Sequence, residues 1–266
     1  MARFAVVARP IATGGLRLLN RLDASRIGDA NEFSDPPLVT FEWYWHSRHG
    51  VQIAMLDANL KSQLRLHFQN IRRPVEIVAS LDDSAKSSEL TTLLKETAEL
   101  TDQITILETQ DGDERKPSFS IRQQGKQSGI RFAASPTGPE FSSLVLALLH
   151  VGGHPIRANR RAIEQLETLK DDYYFETYIS LSCRSCVEVV QALNMMAVVN
   201  PRIHHVMIDG GLFQNEVNER HITVVPTMYL NGELFGEGRQ TFDELAGRLS
   251  DIEASVIAAL RAARMR

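Results

Sequence analysis

The sequence predicts an α/β fold built from two similar units, each ordered strand–helix–strand, then a hairpin, then a helix. Three observations support this fold class. Strand-like and helix-like segments alternate from residue 56 onward, and the second half of the chain repeats the order of the first. The only two cysteines, in Cys183-Arg-Ser-Cys186, stand between a strand-like run and a helix-like run.

The first unit is expected to cover residues 55–152, and it contains no cysteine. An apolar stripe with helical spacing runs from Leu60 to Phe68. A second helix follows a strand, and Asp83 or Ser84 can cap it. The predicted elements are a helix at 56–71, a strand at 75–81, a helix at 82–100, a strand at 103–107, a hairpin of 118–121 and 130–133, and a helix at 139–150.

The second unit is expected to cover residues 153–250, with a C-terminal helix or tail at 251–266. Asn231-Gly232 lies between two short strands and is a strong signal for a type I′ turn. The predicted elements are a short helix around 163–169, a strand at 173–181, a helix at 183–199, a strand at 203–208, a hairpin of 226–230 and 233–235, and a last helix that starts with 241–249.

The repeat has a register that the sequence suggests directly. A shift of 100 residues places the strand 75–81 on 175–181 and Ile106 on Val206. Further along, Lys116-Pro117-Ser118 matches Val225-Pro226-Thr227. In this register Asp83 matches Cys183 and Lys86 matches Cys186. The first unit therefore has the fold without the thiols.

Residues 1–54 differ in pattern from the rest. The first 21 residues carry four arginines and no acidic residue, which resembles a targeting leader. The alternative is an extension that precedes a true start at Met55. We expect this second alternative, a poorly structured and non-native segment, because the regular pattern begins at that point.

Composition excludes several classes of function. A net charge of −4 gives no indication of nucleic acid as a partner, and no apolar run is long enough to span a bilayer. Two cysteines in one close pair argue against a secreted disulfide scaffold. We therefore expect a reducing, cytoplasmic location.

The cysteine spacing predicts thiol–disulfide chemistry. Two thiols three positions apart at a helix start can close into a disulfide, and the helix N-terminus stabilises a thiolate on the first sulfur. Cys183 is the expected nucleophile and Cys186 the resolving thiol. Inert core thiols are one alternative. Zinc is another, but it needs two further ligands, and His204 and His205 would point to opposite faces of a strand.

The order of elements, the Cys-x-x-Cys motif and Val225-Pro226 together resemble the thioredoxin fold. The fold class is thus two fused thioredoxin-like units, βαβ–ββα, with only the second carrying Cys-x-x-Cys. The resemblance implies that the Val225–Pro226 bond is cis and that these residues form the groove for an extended substrate backbone. Thioredoxins place an acid six residues before the first cysteine, where this chain has Thr177.

Tandem units with one cysteine pair also resemble the N-terminal domain of the F subunit family of alkyl hydroperoxide reductases. The segments that carry the resemblance cover residues 55–249 and are Ser80-Leu-Asp-Asp-Ser-Ala-Lys86, the helix 141–149, Gly152-Gly-His-Pro155, Tyr178-Ile-Ser-Leu-Ser-Cys183, Gln191-Ala-Leu-Asn194, Asn200-Pro-Arg202, the run 208–215 and Val225-Pro226.

This family resemblance implies an electron relay. The partners would be a flavoprotein disulfide reductase as donor and a peroxiredoxin-type peroxidase as acceptor. The sequence contains no Gly-x-Gly-x-x-Gly loop, so FAD and NADH are expected on a separate or missing flavoprotein part and no cofactor or metal is expected in this chain. The resemblance also implies an acid–base role for Glu140, at the start of the helix 139–150.

One departure from the family motif and three alternatives remain. The family usually has Cys-His-Asn-Cys, and the positive charge of Arg184 should favour the Cys183 thiolate and raise the reduction potential. Glu140 could equally be an ordinary acidic residue at a helix start. The alternative functions are a glutathione-linked, glutaredoxin-like reductase and a non-catalytic binding module with this fold.

Overall fold

The computed structural model describes residues 56–109, 115–127 and 129–264, so the predicted leader or extension at 1–54 lies outside the described residues. The strands are β1 (Val75–Ser80), β2 (Ile104–Thr109), β3 (Ser118–Gln123), β4 (Ile130–Ala133), β5 (Tyr173–Ile179), β6 (Ile203–Asp209), β7 (Thr227–Leu230) and β8 (Glu233–Glu237). The helices are α1 (Ala58–Phe68), α2 (Ala85–Ala98), α3 (Phe141–Val151), α4 (Arg160–Glu167), α5 (Arg184–Val199), α6 (Gln214–Glu219) and α7 (Phe242–Arg264), with a 3-10 turn at Gly138–Glu140.

The predicted order of strands and helices is confirmed, with one addition. The last helix, α7, runs from Phe242 to Arg264, so the segment expected as a helix or tail at 251–266 is helical up to residue 264. The short helix α6 is absent from the prediction, because its sequence QNEVNE has no buried residue and gives no amphipathic signal. Asn231 and Gly232 have φ values of 51° and 87°, which confirms the type I′ turn.

The strands of both units join in one eight-stranded sheet with the order β2-β1-β3-β4-β6-β5-β7-β8. Within each unit the first two strands pair in parallel and the hairpin pairs antiparallel. The two units meet where β4 pairs in parallel with β6, from Ile130 opposite His205 to Ala133 opposite Ile208. The domain boundaries drawn from the sequence stay a prediction, since the sheet runs through both units.

One large hydrophobic core spans both units. It includes Phe119 and Phe132 of the first unit, whose rings stack 5.1 Å apart, and Phe175 and Leu193 of the second. Helices α3 and α5, one from each unit, pack against each other. A separate small cluster of Ala133, Tyr178 and Ile208 is covered by residues around α6. No helix in the described part of the chain is both long and apolar enough to cross a membrane.

The predicted register of the repeat is wrong by one to two residues. The Lys116–Pro117 and Val225–Pro226 peptide bonds are both cis. Ser80 pairs with Ser118, directly after the first proline, and Tyr178 pairs with Thr227, directly after the second. Ser80 therefore corresponds to Tyr178, not to Ser180. The chemically identical Ser-Leu pairs at 80–81 and 180–181 suggested the wrong register, whereas the pairing of the backbones determines the structural one.

This correction changes what stands opposite the cysteines. Ser84 caps α2 as Cys183 stands at the start of α5, so the counterparts of Cys183 and Cys186 are Ser84 and Ser87, not Asp83 and Lys86. When the β1–β2 pair is matched with the β5–β6 pair, Ile106 corresponds to His205, not to Val206. The Ser84 side chain accepts from the Ser87 backbone N–H at 3.1 Å. The first unit thus has hydroxyls where the second has thiols.

An ion-pair network links the first unit to the second. Arg115 Nη2 lies 2.5 Å from Glu176 Oε1 and 2.7 Å from Glu216 Oε2. Arg220 Nη2 lies 2.7 Å from Glu176 Oε2, and the Tyr178 hydroxyl donates to Glu216 at 2.6 Å. These contacts hold α6 against the sheet, which explains why a helix without buried residues forms there.

The junction between the two units depends on a close backbone approach at Gly129. A Cβ atom at this position would lie 2.8 Å from the Ile203 carbonyl oxygen, and the Gly129 carbonyl accepts from His205 N–H at 2.8 Å. We expect Gly129→Ala to lower the free energy of unfolding by about 1 to 3 kcal/mol, because the backbone at the junction must move. Chemical denaturation measures this change.

Gly247→Ala is the matched control for this substitution. Gly247 lies within α7 and a Cβ there would meet nothing within 4 Å. Alanine should raise stability at this helical position by about 0.5 to 1 kcal/mol. Equal effects of the two substitutions would contradict the importance of the close approach at Gly129.

Candidate redox site

The two cysteines form a disulfide at the start of α5. Cys183 is the N-cap residue, the Cα atoms lie 5.5 Å apart and the Cβ–S–S–Cβ dihedral angle is 89°. Cys183 is partly exposed, whereas Cys186 is fully buried. A partner can therefore reach the Cys183 sulfur, and the Cys186 sulfur only through it.

The residues predicted for the substrate groove lie beside the exposed sulfur. Cys183 Sγ is 3.9 Å from the Val225 carbonyl oxygen, and the Val225–Pro226 bond is cis, as the sequence predicts. Pro226 is buried, and its carbonyl accepts from Gly238 N–H at 2.7 Å. Next to these residues Val224 is 46% exposed, so an apolar side chain faces solvent at the edge of the groove.

The surroundings of Cys183 favour a thiolate in the reduced form. Helix α5 is 16 residues long and its N-terminus carries a partial positive charge that acts on the first sulfur. Arg184 is exposed directly beside Cys183, and the Ser185 hydroxyl lies 3.3 Å from Cys183 Sγ. An ion pair between Arg239 and Glu188 also connects the segment after β8 to α5.

Glu140 lies in the 3-10 turn of the first unit, which packs against α5. Its side chain is fully buried, and Oε2 accepts from the Ser143 hydroxyl at 2.7 Å. Within the described residues Oε1 has no hydrogen-bond partner. Burial raises the pKa of Glu140 to about 7, although the hydrogen bond from Ser143 opposes this shift.

The 3-10 turn is held close to the loop that precedes Cys183. A Cβ atom on Gly138 would lie 3.0 Å from the Leu181 carbonyl oxygen, and Gly138 has a φ of 60°. In the described residues the Glu140 carboxyl bonds to Ser143 and not to a cysteine. The structure thus brings Cys183, Cys186, Val225 and Pro226 together, and places Glu140 on a neighbouring element packed against α5.

A buried polar network on this side of the sheet was not predicted from the sequence. Thr177 Oγ1 lies 2.9 Å from His205 Nε2, and Asn194 Oδ1 lies 2.7 Å from His205 Nδ1. Burial lowers the pKa of His205 to about 3, so the ring is neutral. Thr177, in the position where thioredoxins have an acid, thus belongs to an uncharged network.

Zinc at this site finds no support in the described residues. His205 is buried in the polar network, whereas His204 stacks on Tyr174 at 4.8 Å, so the two histidines point to opposite faces as predicted. The described part of the chain has no group of three or more His, Cys, Asp or Glu residues placed to hold a metal ion. The alternation of strand faces was the signal that could have identified His205 as a core residue.

Comparison with known proteins supports the fold. A family model described as "Thioredoxin domain" matches residues 175–248, the unit with the disulfide. The F subunit of alkyl hydroperoxide reductase from Pseudomonas putida is 55% identical over 196 residues, which are 73% of this chain and 37% of that protein. The chain therefore matches little more than a third of the length of this curated relative.

Solved structures match the described part of the chain over nearly their full length. The NTD N/C domain of the Enterococcus faecalis alkyl hydroperoxide reductase has a TM-score of 0.68 and 29% identity, and 98% of it is covered by 72% of this chain. A mutant of the F subunit from the same organism has a TM-score of 0.69 and 30% identity, and 98% of it is covered by 73% of this chain. These matches confirm the predicted pair of thioredoxin-like units.

The raised pKa of Glu140 predicts a specific dependence of stability on pH. A carboxyl with a pKa near 4.5 in the unfolded chain and about 7 in the folded protein holds its proton more tightly when folded. Stability is therefore lost as the pH rises from about 4.5 to 7. We expect Glu140→Gln to be more stable than the wild type at pH 8 by up to about 3 kcal/mol, with a difference that shrinks toward pH 5.

Denaturation of both proteins between pH 5 and 8 measures this difference. Burial lowers the pKa values of His150 and His205 to about 4 and 3. These two histidines therefore make the stability of the folded protein fall as the pH falls below about 6.5, which is opposite to the effect of Glu140. Both proteins contain these histidines, so their contribution cancels in the difference. Glu164→Gln, in an exposed pair with Arg160, is the control. Parallel curves for Glu140→Gln and the wild type would contradict the prediction.

Proposed function

We propose that this chain, which belongs to the F subunit family of alkyl hydroperoxide reductases and matches its N-terminal part, relays electron pairs through Cys183 and Cys186. The donor would be a flavoprotein disulfide reductase that carries FAD and uses NADH. The acceptor would be a peroxiredoxin-type peroxidase. One observation supports this function above all others: a disulfide at a helix start with one sulfur accessible and the other buried.

The geometry supports a two-step exchange. In the reduced protein the Cys183 thiolate attacks a disulfide of the peroxidase, which forms a mixed disulfide and releases one peroxidase thiolate. The Cys186 thiolate then attacks the Cys183 sulfur, which forms the internal disulfide and releases the second peroxidase thiolate. Two electrons pass to the peroxidase. The flavoprotein dithiol restores Cys183 and Cys186 by the same chemistry in reverse.

Val225 and Pro226 are suited to hold the incoming segment. The Val225 carbonyl lies beside Cys183 Sγ, and backbone groups at this position can pair with an extended chain. The exposed Val224 adds an apolar contact at the edge of the same groove. An extended peptide around the partner's cysteine is thus the substrate that this groove fits.

Glu140 is the group we propose for proton transfer in the resolving step. Cys186 is buried and must lose its proton to attack, and a carboxyl with a pKa of about 7 exchanges protons near neutral pH. Thr177 and the neutral His205 network do not carry a titrating acid in this range. The first unit would then supply a group that the second lacks.

A glutathione-linked reductase and a non-catalytic binding module remain the alternatives to the relay. Activity with glutathione as the sole donor would favour the first alternative. Permanently unreactive cysteines would favour the second. The proposed relay needs a reducing compartment to keep the peroxidase cycling, which is the reason for placing it in the cytoplasm.

A reconstituted relay with a trapping variant tests the proposed function. A thioredoxin-reductase-type flavoprotein with NADH should reduce the Cys183–Cys186 disulfide, and the reduced chain should then reduce an oxidised peroxiredoxin. Cys186→Ser should accumulate a mixed disulfide with the peroxiredoxin, because the resolving thiol is missing. Non-reducing electrophoresis and mass spectrometry measure this species.

Cys183→Ser is the matched control, since its remaining cysteine is buried. It should form little or no mixed disulfide. Reduction by the flavoprotein without transfer to the peroxiredoxin would contradict the proposed acceptor. Trapping through Cys183→Ser instead of Cys186→Ser would reverse the assigned roles of the two sulfurs.

The role of Glu140 has a separate test in the kinetics of exchange. With reduced wild-type chain and a model disulfide, the rate of the resolving step should rise with pH around 7 as Glu140 ionises. Glu140→Gln should lose this rise and be slower by tenfold or more, in the range of general acid–base effects of roughly 100-fold. Stopped-flow measurements from pH 5 to 9 give both curves. Superimposable curves would remove Glu140 from the mechanism.

A further inference from the structure

A cavity lies between the two units, at the end of the sheet where the disulfide also lies. Its volume is about 270 Å³. The first unit contributes Lys86, Glu89, Pro117 and Ser135 to its lining, and the second contributes Leu181, Asp209, Gly211 and Leu212. Strands β4 and β6, whose parallel pairing joins the two units, both end at this edge. Leu181 stands two residues before Cys183, so the cavity adjoins the loop that leads to the redox site.

The cavity is lined by one cation, Lys86, and by two anions, Glu89 on the same side and Asp209 on the other. Lys86, in the first turn of α2, pairs with Glu89 at 2.7 Å, and both side chains are exposed. Such a surface pair contributes little stability, so the lysine can change partners at small cost. On the other side Asp209 Oδ1 accepts from Gly211 N–H at 3.0 Å. Burial raises the pKa of Asp209, whereas the Gly211 bond and the charge of Lys86 lower it.

A buried polar group in the lining is a second and independent indication of a ligand. Ser135 is 8% exposed, and its Oγ has no hydrogen-bond partner among the described residues. A hydroxyl that is buried without a partner costs free energy, and such groups are rare in folded proteins. A ligand in the cavity would supply that partner.

We propose that this cavity binds a small zwitterion of the amino-acid type with an apolar side chain. Lys86 would exchange Glu89 for the carboxylate of the ligand, since their exposed ion pair is weak. Asp209 would bind the ammonium group, and Ser135 would donate or accept a hydrogen bond. Pro117, Leu181 and Leu212 would contact the apolar side chain. This site is separate from the proposed redox function, which does not depend on it.

Titration of the full chain in its disulfide form tests the proposal. The probes are L-leucine and leucylglycine. Two matched molecules each lack one charged group of leucine: isoamylamine lacks the carboxylate, and 4-methylpentanoate lacks the ammonium group. Amide NMR signals of Ser135, Leu181 and Gly211 should shift saturably with at least one zwitterion. Each half-molecule should bind about tenfold more weakly, because one charge-assisted contact is lost. Absence of saturable shifts with both zwitterions, or equal binding of the half-molecules, would overturn the site.

Two substitutions test the assigned contacts. Lys86→Gln and Asp209→Asn should each weaken binding of the zwitterion about tenfold. Lys95→Gln removes the same charge from an exposed position of α2 outside the cavity and should leave binding unchanged. The dispersion of the amide spectrum shows that each variant is folded, and Lys86 is exposed enough to be replaced safely. Wild-type affinity of Lys86→Gln, or an equal loss with Lys95→Gln, would contradict the proposal.

Discussion

The parallel pairing of β4 with β6 is the interaction on which the rest of this structure depends. It joins two four-stranded sheets into one, and it requires the backbone of Gly129 to approach Ile203 more closely than a side chain would allow. Because the sheet is continuous, α3 of the first unit packs on α5 of the second and one large core forms beneath both. The Arg115 pairs with Glu176 and Glu216 link the two units in addition.

That arrangement packs the unit without cysteines against the helix that carries the disulfide. Its counterparts of Cys183 and Cys186 are Ser84 and Ser87, which satisfy hydrogen bonds at the start of α2 and cannot form a disulfide. The same unit nevertheless carries Glu140 on a turn packed against α5. The absence of thiols in one copy of the repeat therefore agrees with the proposal that this copy supplies an acid to the other.

The sequence predicts the redox pair well and the buried network poorly, for physical reasons. Two cysteines at a strand-to-helix junction, Asn231-Gly232 at a turn and Pro226 before a strand are local signals, and local geometry decides their structure. His205 is different, because its meaning depends on which face of β6 packs on α5 and on Thr177 in the neighbouring strand. The register of the repeat failed for the same reason, since the pairing of Ser80 with Ser118 is not visible in the order of residues.

The charges around Cys186 limit how its proton can leave. The Thr177–His205–Asn194 network is uncharged, because burial keeps the His205 ring neutral throughout the physiological range. Arg184 and the α5 N-terminus act on the exposed Cys183, and neither can accept a proton from the buried thiol. Among the described titratable groups on β5, β6, α5 and the 3-10 turn, Glu140 alone combines burial with a pKa of about 7. In the proposed mechanism, a thioredoxin-like unit without an acid in the Thr177 position relies on its neighbour, and the continuous sheet holds that neighbour in place.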